Sequence, residues 1–484
     1  MRTAACQGRV EVNSRREFLK KSSFGFGSLA LGHLLNQDSL PAASGPSPYD
    51  PLAPKAPHFP AKAKNVIFIF LQGGLSQVDS FDYKPALERY DGQVLPESYR
   101  DGLLLAQIDA YEAKLLASWR KFERHGESGL EISDLFPHLS KHADALAVIR
   151  SCYHEAFIHG PALSYLHTGS IRIGAASMGS WILYGLGSEV DNLPSYVVMA
   201  DGHMRSSKSL FATGYLPAIY QGTVVSTRGV PFENLTPPPQ IDLERQQRIL
   251  ARVKKANRSH LQTRGDDTRL DARMKNYELA FQMQMAAPEL IDLAKEPAHV
   301  LKMYGLDDEP TAKFGRMCLL ARRMVERGVR YVHLYSSDWD GHGECDKNHM
   351  ENASEMDKPV AGLLADLKQR GLLENTLVVS SGEFGRTPVM QGKLGRDHNP
   401  YGFSTWMAGG GVRGGKAIGA TDDLGFVAAE DKFHVNDLQG AMLGLLGLDH
   451  RKLTYRFQGL DRRLTGVGDA GHRADALREK LTRA

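Results

Sequence analysis

The sequence predicts an α/β domain built on a doubly wound, mostly parallel sheet with helices on both faces. Three observations predict it. Short, continuous apolar runs rich in β-branched residues recur along the chain, the pattern of strands buried on both faces. Segments with helical apolar spacing separate several of them. Loops dense in carboxylates, imidazoles and arginines follow the runs, where such sheets place their ligands.

The first run is NVIFIFL, Asn65 to Leu71, bounded by Gly73 and Gly74. Others are Ala145 to Ile149, Ser195 to Met199, Val329 to Tyr335, Thr376 to Val379 and Phe403 to Ala408. Lys358 to Arg370 reads as a helix because Val360, Leu363, Leu364 and Leu367 share one face, and Gly371 stands where it should stop. From Thr236 to Arg327 the chain opens with three prolines and turns polar, with helical spacing in YELAFQMQ. It reads as a helical insertion at about 236–327, with Met283 and Met285 as packing residues.

Ahead of this domain, predicted over 64–484, lie two other segments. Residues 46–63 are rich in Pro and Ala and read as a linker. Residues 1–45 read as a twin-arginine export signal: SRREFLK carries Arg15 and Arg16, and an apolar stretch runs from Phe24 to Leu35. That stretch falls short of the ~20 residues that span a bilayer, so no stable membrane span is expected. The export machinery is the implied partner, and the expected location is periplasmic or extracellular.

Composition narrows the function. The chain has 484 residues, 42% hydrophobic and 24% charged, so neither a disordered chain nor a multi-span membrane protein fits. Its 59 basic and 56 acidic residues leave a net charge of +3, which gives no electrostatic case for nucleic acid. Four scattered cysteines exclude a disulfide scaffold or thiolate metal site. AGGGVRGGKA approaches a phosphate-binding loop, but Ala417 replaces the magnesium-binding hydroxyl and no helix pattern follows. No Gly-x-Ser-x-Gly elbow occurs, and no dinucleotide or haem motif supports an oxidoreductase.

Three loops remain. Asp338, Asp340 and His342 are spaced two apart, so in extended chain they face one way. Glu344, Asp346 and His349 follow them. SGEFGRTP supplies Glu383 and Arg386, and GRDHNP supplies Arg396, Asp397 and His398. Carboxylate with imidazole and no thiolate suits a divalent ion such as Zn, Mn, Mg or Ca. Arg386 and Arg396 match an oxyanion bidentately.

Several segments resemble the alkaline phosphatase and sulfatase superfamily, in family order: NVIFIFLQGG, HGPALSYLHTGS, DKPVAGLLADLKQRGLLENTLVVSSGEFGR and VNDLQGAMLGLLGL. The chain resembles more closely the twin-arginine-exported, sulfatase-like DUF1501 branch. The resemblance implies an alkaline phosphatase-like fold, a divalent metal (Zn, Mn or Ca) and a small-molecule or glycan ester as substrate. It aligns His159 with the family's nucleophile position, Glu383 with its third-loop Asp, Phe384 with the neighbouring Asn or His, and His398 with its late His. Asp338 and His342 match its Asp-x-x-x-His element. Gln72, Gly73 and Gly74 stand where the family keeps acids after its first strand, and Asp79 is the nearest carboxylate.

The expectation is an exported, metal-dependent hydrolase of phosphate or sulfate esters. Asp340, His342, Glu383 and His398 would hold the ion, with Asp338 and Asp397 as further candidate ligands. Arg386 would steady developing charge, Arg396 and Gln72 would bind substrate, and His159 would transfer a proton or act as nucleophile. The alternative is a non-catalytic exported binding protein on the same fold.

Overall fold

The computed structural model describes residues 50–100, 103, 105–205, 207–227, 241–264 and 268–483. The signal segment 1–45 and the start of the linker lie outside the described residues.

The apolar runs become the strands β1 (Asn65–Leu71), β2 (Ala147–Tyr153), β3 (Tyr196–Ala200), β4 (Thr223–Val225), β5 (Tyr331–Ser336) and β6 (Thr376–Ser381). A hairpin follows, β7 (Gly385–Gln391) and β8 (Gly395–Asn399), then β9 (Phe403–Ala408), β10 (Lys416–Ile418) and β11 (Phe433–His434). Nine of them form one sheet in the order β10-β2-β9-β6-β1-β5-β3-β4, with β11 also on β2. β9 runs antiparallel to both its neighbours; the other pairings are parallel.

Alternate residues of β1 explain its unbroken apolarity. Ile67, Ile69 and Leu71 enter one core, and Val66, Phe68 and Phe70 the other. The second face is covered by α1 (His159–Thr168), α2 (Met178–Leu186) and a late helix at Val435–Leu445, through Leu163, Trp181, Ile182, Leu438 and Met442. Between these, α3 (Leu243–Arg264) and α4 (Thr268–Ile291) pass along the chain. α5 (Glu309–Glu326) and α6 (Cys345–Gln369) cover the first face with Phe314, Met317, Leu363 and Leu367. The fold is thus a three-layer α/β sandwich.

α6 begins well before the predicted Lys358 and runs through Pro359. Proline removes one rung of the ladder, but buried His349, Ala353 and Met356 continue the face formed by Val360, Leu363 and Leu364. Asp346 and His349 are therefore helical. Buried His349 accepts the Ser76 N–H on Nε2 at 2.9 Å. No described helix is long and apolar enough to cross a membrane.

Candidate metal centre

β5, β1 and β6 are adjacent and parallel, so their C-terminal ends share one sheet edge. Gln72 to Gly74 leave β1 there, Asp338 to His342 leave β5, and Glu383 leaves β6. The β7–β8 hairpin adds Arg386 and His398, and His159 is the first residue of α1. One donor atom each from His159, Asp340, His342 and His398 lies within 4.8 Å of all the others.

Asp340 is the centre of this group. Its Oδ2 faces His159 Nε2 at 3.1 Å, and its Oδ1 faces His342 Nε2 at 3.0 Å and His398 Nε2 at 3.3 Å. The outer nitrogens all meet acceptors. His159 Nδ1 lies 2.7 Å from Glu383 Oε1, His342 Nδ1 2.5 Å from Gln391 Oε1 and His398 Nδ1 2.9 Å from the Phe157 carbonyl. A carbonyl only accepts, so the ring proton of His398 sits on Nδ1 and its Nε2 lone pair turns inward. Gln391 gives its own Nε2–H to Gln107 Oε1 at 2.8 Å, which leaves its oxygen for His342. Three imidazole nitrogens and a carboxylate thus point at one place. That arrangement requires positive charge between them, either shared protons or a cation.

The ionisation of these groups agrees. Burial pushes the Asp340 carboxyl up, but the imidazoles of His159, His342 and His398, with the Arg386 guanidinium, hold it well below the carboxylate range. Burial likewise opposes a charge on His159, yet its bonds to Asp340 and Glu383 raise it above the ordinary imidazole value. Burial, with Arg386 and His159 nearby, pushes His398 down despite the adjacent Asp340 carboxylate.

A three-imidazole, one-carboxylate donor set fits a borderline divalent ion, Zn ahead of the harder Mn. It fits Ca poorly, because Ca takes oxygen ligands. Glu383 stands one step back. Fully buried, it binds His159 and accepts the Gly73 N–H at 3.1 and 3.0 Å. A carboxylate behind a ligating histidine fixes its tautomer and orientation.

Other predicted residues are placed elsewhere. Asp338 is exposed, with φ 73°, so the turn breaks the alternation that was to align it with Asp340. Its carbonyl accepts from Asn348 at 2.6 Å and Asn352 at 3.1 Å. A register shift in the hairpin between Arg396 and His398 acts as a bulge. His398 turns into the cluster, while Asp397 accepts the Gln107 and His398 N–H groups at 2.7 and 2.8 Å. Fully buried Arg396 pairs with Asp79 at 2.7 and 3.1 Å and gives its other protons to the Leu116, Ala117 and Thr387 carbonyls. It has no donor left for substrate.

Arg386 is equally enclosed. It bonds Asp340 Oδ1 at 2.6 Å, the Gly74 and Arg396 carbonyls at 3.2 Å, and the Gly73 carbonyl. The cation on the open side is Arg205, whose side chain is 36% exposed and which meets Asp340 Oδ2 at 2.8 Å. Gln72 holds that loop, accepting the Arg205 N–H at 2.7 Å and donating to the His203 carbonyl at 2.9 Å. Arg205, Gln107 and Gln391 sit in segments without periodicity, and no spacing in the sequence singles them out.

No protein of curated function matches the chain. Solved structures similar to it include the PsFucS1 sulfatase from Pseudoalteromonas sp., 13% identical, covering 84% of this chain and 73% of that one at a TM-score of 0.36. Another is the alkaline phosphatase of the Antarctic bacterium TAB5, 9% identical, covering 80% and 99% at a TM-score of 0.34. A third is a protein in the alkaline phosphatase superfamily from Vibrio parahaemolyticus, 10% identical, covering 84% and 71% at a TM-score of 0.34. The family model described as "Protein of unknown function (DUF1501)" matches residues 63–477, and the chain belongs to that family.

Proposed function

We propose that the protein is a metal-dependent hydrolase of phosphate or sulfate esters, exported by the twin-arginine route. The observation that carries this reading is the convergence of His159, Asp340, His342 and His398 beside a half-open arginine, Arg205. A divalent ion held by these four would supply Lewis acidity toward an ester oxygen and acidify a water.

The protein's own groups do the rest. Arg205 binds the ester anion, since guanidinium geometry matches phosphate and sulfate, and Gln72 fixes the backbone that presents it. Arg386, closed off behind Asp340, orients that carboxylate and keeps it ionised. Glu383 locks the ring of His159. The sequence resemblance aligns His159 with the superfamily's nucleophile, but its two nitrogens face Glu383 and Asp340, so it serves as a ligand and water performs the displacement.

The test is elemental analysis of protein purified from the export compartment, followed by stripping and reloading with Zn, Mn or Ca and assay against 4-nitrophenyl phosphate and sulfate. Stoichiometric Zn or Mn with turnover that Asp340→Asn abolishes is the expected result. Stoichiometric metal without turnover would instead establish the non-catalytic binding protein. Replacing Arg15 and Arg16 with lysine should retain the protein in the cytoplasm.

A further inference from the structure

α1 carries His159 into the metal centre, and its next turn opens on a different environment. A cavity of about 210 Å³ lies against Gly160, Pro161 and Ser164 on one side and Ile171, Ile173 and Leu210 on the other. None of its lining residues is charged. Two of its hydroxyls are turned to the backbone: Ser164 donates to the Ser170 carbonyl at 2.7 Å and Thr168 to the Ser164 carbonyl at 2.7 Å. Its rim is apolar for a surface, with Ile171 56% and Ile173 90% exposed. Clustered exposed isoleucines at a concave site mark a binding surface. A Cβ built on Gly160 would meet nothing within 4 Å, so this helical glycine leaves the space open beside the metal centre.

We propose that this cavity receives the alcohol portion of the ester, and that this portion is an aryl or short alkyl group rather than a sugar. The inference rests on the hydrolase reading for the bond that is cut, but not for the binding itself. Size supports the assignment, since a dry apolar cavity of ~150 Å³ holds a benzene ring, so this one accommodates one or two rings. Chemistry supports it as well. A saccharide entering here would lose water from its hydroxyls, while the Ser164 and Thr168 protons are already given to carbonyls and the rest of the lining carries no charge, so most of that cost stays uncompensated. The anionic end of the ester would then lie toward Arg205, and the apolar end toward Ile171 and Ile173.

The probe is 1-naphthol, titrated calorimetrically into the metal-loaded full-length protein, alone and as Gly160→Leu and Ile173→Asp. Naphthol should bind the native protein. Gly160→Leu, which fills the open space, should weaken it by about tenfold or more, and Ile173→Asp, at a position too exposed to disturb folding, should weaken it severalfold. Metal content should be unchanged in both. Absence of naphthol binding, or binding indifferent to both substitutions, overturns the proposal. In turnover, 1-naphthyl esters should exceed hexose esters of the same anion in kcat/KM, with Gly160→Leu removing the preference. Hexose esters turned over as fast as naphthyl esters would also overturn it. Substitution-sensitive naphthol binding with no hydrolysis of any ester would sustain the cavity's assignment and remove the hydrolase reading.

Discussion

Two aspartates at one sheet edge are each gripped by an arginine from the same hairpin, and they could hardly differ more. Asp79 and Arg396 close on each other. Arg396 spends its remaining protons on backbone carbonyls and stacks over Trp119 at 5.0 Å. Burial pushes the Asp79 carboxyl up, but Arg396, with hydroxyl donors, holds it below its ordinary value. Asp340 and Arg386 are bonded at 2.6 Å, yet Asp340 also faces three imidazoles and Arg205 and keeps 14% of its side chain exposed. The first pair holds hairpin to helical turn and is finished. The second collects more partners than one carboxylate satisfies, on the side that opens outward. A buried ion pair by itself says little about chemistry; surplus donors converging on it do.

Substitutions sharpen that contrast. The largest effect should come from Asp340→Ala, which should empty the site of metal by elemental analysis and reduce ester hydrolysis to background. Arg396→Ala should leave the Asp79 carboxylate buried and unpaired, at about 3–5 kcal/mol of folding stability by denaturant titration. If that variant unfolds no more readily than the native protein, the two pairs are not different in kind. Glu383→Gln should weaken metal affinity by roughly 10- to 100-fold, measured by competition with a chelator. Arg205→Ala should raise KM for anionic esters by about tenfold while leaving folding stability unchanged to within about 0.5 kcal/mol.

Acid should act through the buried imidazoles rather than through either pair. Burial holds His154 and His167 at about 4 and His349 at about 3, against an unfolded value near 6.5. Below that value the unfolded chain takes up protons that the folded one refuses. Stability should therefore fall as pH drops from 6.5 toward 4, by about 1.4 kcal/mol per pH unit for each group. His349→Gln, which still offers Ser76 an acceptor, should flatten the slope of stability against pH.

The strands were legible because burial on both faces writes itself as an unbroken apolar run, as β1 shows. The site was legible in part. Asp340, His342 and His398 stood out as hard ligands after strands, and His159 through the resemblance. Asp338 misled because two-residue alternation assumes extended backbone, whereas the chain enters the left-handed region there. Arg386 and Arg396 both read as oxyanion clamps, since a guanidinium looks the same in sequence whether it meets water or a set of buried backbone oxygens. Arg205 was invisible for the opposite reason: it lies 135 residues from the carboxylate it meets, and only the crossing of two loops brings them together.

Gly73 has a consequence for how such a site can change. Its φ is 116°, and a side chain there would begin 2.5 Å from the Asp340 nitrogen and 2.6 Å from the Trp339 carbonyl carbon. A carboxylate cannot be introduced at this position by a single replacement, because the first atom added would expel the loop bearing the central aspartate. The glycine works as a latch: with Asp340 seated against bare backbone, an acidic residue here requires two loops to be rebuilt together.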